Sequence, residues 1–179
     1  MKRLTSTITA LLLALAVLAF SGTFAGSAAT ADRAHGAGHA QGFERFLQRY
    51  EAANSAFVNG DPSPWLSISA DKEPASIFGG FGGPGEAGVA QVRQRYLLAA
   101  SVFRPSGAQV DFEYLVKDVR GRLAYTVAIE RANVLYAGQT ERQQHVLRAT
   151  MIFRVEKGAW KIVHRQADPM VDLQLPASR

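Results

Sequence analysis

At 179 residues, 47% hydrophobic and 20% charged, the chain has the size and composition of one folded globular domain with a short extension. It has no cysteine, which excludes a disulfide framework, a thiol nucleophile and a lipid-modified N-terminal cysteine. The net charge of +5 drops to +3 once Lys2 and Arg3 are set aside, and without a Lys/Arg run that surplus argues against nucleic acid as a partner.

Residues 1–31 carry the three parts of a secretory signal. Lys2-Arg3 is the basic start, Ile8–Phe20 is an apolar run, and Ala25–Ala31 supplies small residues for cleavage at Ala29-Thr30-Ala31 or Ser27-Ala28-Ala29. The run of 13 residues is shorter than the roughly 20 needed to span a bilayer. Cleavage and export, to the periplasm or the medium, is therefore expected over retention as an anchor, leaving no membrane contact afterwards. Asp32–Gly42 reads as a flexible small-residue linker. His35 and His39 lie four apart, but the glycines beside them disfavour a helix, and two histidines without a third ligand make a weak site. No metal is expected there.

A domain is expected from residue 43 to 170, with 171–179 as a tail. Phe43–Asn59 reads as an amphipathic helix, with Phe43, Phe46, Leu47, Tyr50, Ala53 and Phe57 at spacings of three and four. Gly60 and Asp61 end it, and Pro62 and Pro64 prevent its resuming. Trp65–Ala70 fits a helical turn and Ser76–Phe78 a short apolar strand. The glycine-dense loop Gly79–Gly88 follows; it lacks the Lys-Ser/Thr of a phosphate loop and the strand context of a dinucleotide site, so it reads as a lid or a tight bend. A second helix is expected over Ala87–Phe103. From Gln109 the period changes to two, and strands are expected from Val110, over Leu123–Leu135, Arg142–Val155 and Trp160–Asp168. Helices followed by an antiparallel meander make an α+β layout.

Turn chemistry suggests how these strands pair. A two-residue turn at Arg120-Gly121 sets Val116 opposite Tyr125 and Phe112 opposite Ile129, and one at Lys157-Gly158 sets Phe153 opposite Ile162 and Met151 opposite His164. A three-residue loop at Gly138–Thr140 sets Tyr125 opposite Phe153 and Arg131 opposite Leu147. These registers share one apolar face. Arg131, Asn133, His145, His164, Gln166 and Asp168 gather at one end of it, either as a small-molecule pocket or as a wet sheet edge. His164, expected deep and opposite Met151, could serve as an acid/base or as a bonded structural group. On the other face Glu130 is expected opposite Arg148, either as a simple cross-strand ion pair or as part of a dimer surface.

The helix FERFLQRYEAANSAFVNGD, the loop FGGFGGPGEAG and the ending ATMIFRVEKGAWKIVHRQAD together resemble the SnoaL-like (polyketide-cyclase-like) branch of the nuclear transport factor 2-like superfamily. Gly158–Asp168 is similar to the family's G-x-W-[RK]-[IV]-x-H-x-H-x-D ending, with Gln166 in place of the second His. The resemblance implies a cone-shaped α+β fold: N-terminal helices packed on a curved antiparallel sheet, with a pocket in its concave face. It also implies relatives that include isomerases, cyclases and dehydratases working without a cofactor. Ketosteroid isomerase uses an aspartate base after its first short strand, where this chain has Phe78-Gly79-Gly80.

The leading expectation is an exported, homodimeric domain that binds a small apolar or aromatic molecule. Trp65, Tyr96, Tyr125 and Met151 would form the walls, and Arg131, His145 and Gln166 would add polarity. His164 and Asp168 are the candidate catalytic groups if the pocket works as an enzyme. A protein-interaction module using the outer face is the remaining alternative.

Overall fold

A computed structural model describes the backbone of residues 24–171 and side chains from Gly38 onward. The expected signal core, Ile8–Phe20, and all but the first residue of the tail lie outside the described residues. Helix α1 runs from Phe24 to Phe57, α2 from Ser63 to Ile68 and α3 from Val89 to Ser101. The strands are β1 (Ser76–Phe78), β2 (Glu86–Ala87), β3 (Phe103–Arg104), β4 (Val110–Arg120), β5 (Leu123–Tyr136), β6 (Gln143–Glu156) and β7 (Ala159–Pro169). Helix α1 passes straight through Asp32–Gly42, the segment expected to be a non-helical linker. Alanine is the strongest helix former, and Ala25, Ala28, Ala29, Ala31, Ala34, Ala37 and Ala40 outweigh glycines that each cost about 1 kcal/mol.

The apolar stripe of α1 is buried as its spacing requires: Phe43, Phe46, Leu47, Tyr50, Ala53 and Phe57 all face the core. Phe43 packs edge-on against Phe153 of β6 and Trp160 of β7, with ring centroids 5.2 and 5.1 Å apart. The helix thus lies across the inner face of one sheet, ordered β2-β1-β7-β6-β5-β3, with β4 paired to the remainder of β5. All pairs are antiparallel except β1 with β7.

Two bulges curl this sheet. Tyr114 faces Ala128 while Val116 faces Val127, leaving Leu115 as the extra residue in β4. Ile152 faces His164 while Phe153 faces Ile162, leaving Val163 extra in β7. A bulge bends its strand, increases its twist and exchanges the faces of every residue beyond it.

The β6–β7 turn has the expected register at Val155–Trp160 and Phe153–Ile162, but the other two connections differ. The β4–β5 turn is Gly121-Arg122, which pairs Arg120 with Leu123, one residue on from expectation. The β5–β6 connection spans residues 137–142 and sets Tyr125 opposite Ile152, not Phe153. On β5 the inner residues are therefore Ala124, Thr126, Ala128, Glu130, Ala132 and Val134, all buried, while Tyr125 is 40% exposed. Small residues on this face leave room for the aromatic side chains of α1, and Ala124, Ala132 and Val134 share one buried cluster with Phe43, Tyr50 and Phe57. The larger Tyr125, Val127 and Ile129 take the outer face, because both faces of β5 are apolar enough to accept either assignment.

Candidate functional site

The bulge at Val163 decides which polar groups enter the cone. Trp160 and Ile162 point inward before it; after it Arg165 and Ala167 do, and all four are buried. Arg165, 7% exposed, meets Glu130, 4% exposed, from the inner face of β5. The guanidinium donates from Nη1 to Glu130 Oε1 at 2.9 Å and from Nη2 to Oε2 at 2.6 Å. Tyr50 of α1 donates to Glu130 Oε1 at 2.7 Å. Arg165 also contacts Met151 Sδ at 3.4 Å and sits 5.4 Å from the centre of the Trp65 ring. A buried charge pair is tolerable when its lone pairs and protons are used in this way. Burial raises the Glu130 carboxyl pKa, but the Arg165 charge and the hydrogen bonds it receives hold it below the ordinary value. Burial works against charged Arg165 too, and Glu130 overcomes it, keeping the guanidinium firmly protonated.

Above this pair a pocket holds about 50 Å³ of free space. Its walls come from Phe57 and Asn54 of α1, Trp65 of α2, Tyr96 and Ala99 of α3, and Phe103 of β3. Its floor is the Glu130–Arg165 pair with Ala132, Leu147 and His145. The loop after β1 closes it through Gly79, Gly80 and Phe81. A Cβ on Gly80 would lie 2.8 Å from Leu147 Cδ1, so glycine is what lets the loop lie this close to the sheet. Phe81, 49% exposed, leans over the His145 ring with centroids 5.6 Å apart. Arg95 clamps the loop from α3: it donates from Nη2 to the Gly82 carbonyl and pairs with Glu86 at 3.5 Å.

The titratable groups of the pocket are held neutral or paired. Burial, with the Arg165 charge, lowers the His145 pKa to about 4, and its Nδ1 shares a 2.7 Å hydrogen bond with Tyr136 Oη. Burial raises Tyr96 to about 12. Of the three buried side-chain polar atoms without a hydrogen-bond partner among the described residues, two, Asn54 Nδ2 and Trp65 Nε1, belong to pocket-lining residues.

The expected site residues separate into two groups. Trp65, Tyr96 and His145 line the pocket, and Met151, 1% exposed, supports Arg165 from behind it. Tyr125, Arg131, His164, Gln166 and Asp168 do not share its face. His164 lies opposite Ile152 rather than Met151, turned outward by the Val163 bulge, and its Nδ1 is 2.8 Å from Ser76 Oγ. Burial lowers its pKa. Gln166 donates to Asp168 Oδ2 at 3.2 Å along the same strand, and Arg131 pairs with Glu113 at 2.8 Å instead of reaching Asp168. The Glu130–Arg148 pair does not form: Glu130 faces Leu147 and points inward, while Arg148 is exposed. Glu130, Arg165, Tyr50 and Asn54 were missed as site residues. The available signal was the period-two run Ala124, Thr126, Ala128, Glu130, Ala132, whose small side chains mark a crowded inner face as well as the larger set marks an outer one.

The fold and the pocket define a cone-shaped α+β domain that closes helices and a glycine-rich loop over the concave side of a curled sheet. The chain belongs to the SnoaL-like domain family, whose model matches residues 75–172. Solved structures share the fold. A nuclear transport factor 2-like superfamily protein from Salmonella enterica serovar Typhimurium is 15% identical with a TM-score of 0.62, covering 78% of this chain and 96% of its own. A proposed dehydratase of the nuclear transport factor 2-like family from Streptomyces avermitilis is 20% identical with a TM-score of 0.58, covering 73% and 98%. A ketosteroid isomerase-like protein from Erwinia carotovora is 12% identical with a TM-score of 0.56, covering 70% and 93%. No curated protein matches the chain.

Proposed function

We propose that the protein binds a small apolar or aromatic molecule inside the cone, beneath the Gly79–Gly85 loop. One observation carries this reading: Phe57, Trp65, Tyr96 and Phe103 wall a hollow whose floor charges, Glu130 and Arg165, are paired with each other. Pockets for ligands of drug size measure several hundred Å³, against about 50 Å³ here. A ligand therefore enters as Phe81 swings outward, and the glycines on either side of Phe81 give the loop the backbone freedom to do so.

The chemistry favours binding over acid–base turnover. An imidazole with a pKa of about 4 is almost entirely uncharged at pH 7, so it is a weak base and no imidazolium acid. Glu130 is tied up by Arg165 and Tyr50. His164 sits on the outer face, away from a molecule held in this pocket. Export through residues 1–31 and pairing of two copies across the outer face, near Tyr125 and Ile152, complete the proposal.

The test is native mass spectrometry of gently purified protein beside an Ala99→Phe variant, which fills the pocket from α3. Wild type should retain a small molecule, or take up an aromatic probe such as naphthalene, and the variant should not. Equal uptake by both proteins, or none by wild type, would sink the reading.

A further inference from the structure

We infer that the tail segment Val171-Asp172-Leu173-Gln174-Leu175 prolongs β7 along the free edge of β6 and closes the pocket mouth beside Phe81. Strand β7 ends at Pro169, opposite Leu147, whereas β6 begins earlier in the chain, at Gln143. From Gln143 to Val146 that strand is paired with β5 on one side. On its other side, among the described residues, it meets a single bond: Met170 donates to the Val146 carbonyl at 3.0 Å, just past the end of β7. A strand edge left open in this way is a template for more chain. The segment that emerges beside it is residues 171–175.

Continuing the β6–β7 register sets Val171 opposite His145, Asp172 opposite Gln144 and Leu173 opposite Gln143. The backbone groups of Val146 face β7, so two residues away those of Gln144 face the same way, and Asp172 is placed to exchange both bonds with them. Side chains alternate across a strand. Leu147 is buried on the inner face and His145 lines the pocket on that face. Val171 and Leu173 therefore fall on the inner side, and Asp172 and Gln174 on the outer. The segment has the matching pattern, with apolar residues at 171, 173 and 175 and polar ones at 172 and 174. Val171 is 62% exposed, and half-exposed Phe81 leans over the His145 ring opposite which Val171 falls. Pairing brings these apolar surfaces together and removes them from water. Pro176, which has no N–H to give the ladder, ends the run. Strand pairing stands apart from the pocket reading above; closure of the mouth rests on it.

The chain has no cysteine, so introduced pairs report the register directly. In the full chain, Gln143→Cys/Leu173→Cys should oxidise to a disulfide, because directly opposed side chains meet. Gln144→Cys/Leu173→Cys should not, because its side chains leave opposite faces. Hydrogen exchange gives a second readout without a crosslink. The Gln144 amide should exchange about tenfold faster or more in Asp172→Pro, which removes the donor to the Gln144 carbonyl, than in wild type. Any other crosslinking pattern, or unchanged exchange at Gln144, would overturn the pairing. Naphthalene should leave Leu173→Ser about tenfold faster than wild type in a stopped-flow measurement, and an equal rate would overturn closure of the mouth. If wild type takes up no naphthalene, the pocket reading and the closing role fail together, while the disulfides still decide the pairing.

Discussion

Glu130 and Arg165 close a two-pronged ion pair in the interior of the cone, one from β5 and one from β7, across the intervening strand β6. Breaking a buried pair by removing one partner leaves the other charge stranded and costs about 3–5 kcal/mol. Arg165→Met should therefore lower unfolding free energy by about that amount in a denaturant titration. The double variant Glu130→Leu/Arg165→Met should be more stable than Arg165→Met alone. A double variant as unstable as the sum of the singles would show that the pair contributes nothing as a pair.

Acid should weaken the fold in two stages. Folded His145 has a pKa of about 4 against an ordinary 6.5, so the unfolded chain takes up more protons between those values and stability falls as pH drops through that window. Glu130, held below its ordinary 4.5, contributes stability that is present above 4.5 and lost as pH falls through its folded value. Thermal melts from pH 7 to pH 5.5 should show a decline that His145→Phe reduces and His145→Phe/His164→Ala reduces further, since burial holds His164 below its ordinary value as well.

His164→Ala should leave binding of an aromatic probe within about twofold, because the Ser76-bonded imidazole lies on the opposite face from the pocket. Trp65→Ala, which removes a wall, should weaken the same probe about tenfold or more. Fluorescence or calorimetric titration reads both, and a large loss in the His164 variant would return that residue to the site.

The closing loop offers a separate test. Gly85 has φ +84, and a Cβ there would lie 2.6 Å from Phe78 and 3.1 Å from the Ile77 carbonyl oxygen. Gly85→Ala should destabilise the protein by about 1–3 kcal/mol. Arg95→Ala instead releases the clamp on the loop, so hydrogen exchange over residues 79–85 should quicken while exchange in β5 and β6 stays unchanged.

Much of the architecture was legible in the chain. The three-and-four spacing from Phe43 to Phe57 named the buried stripe of α1, the change to period two after Gln109 named the sheet, and Lys157-Gly158 set the β6–β7 turn correctly. The ending around Trp160-Lys161-Ile162 pointed to the SnoaL-like family. Alternation fixes that a strand has two faces, and the amphipathic helix fixes where a core must lie.

Alternation does not say which face turns inward when both are apolar, and that choice is made by contacts distant in sequence. The aromatic side chains that fill the cone fit over the small residues of β5, which leaves Tyr125 and Arg131 outside and Glu130 within. A single extra residue, Val163, then exchanges His164 for Arg165 across the sheet. Local sequence carries the periodicity because it arises from backbone geometry within one strand. The contents of the pocket depend on how four strands and three helices crowd one another, so only the assembled fold could decide them.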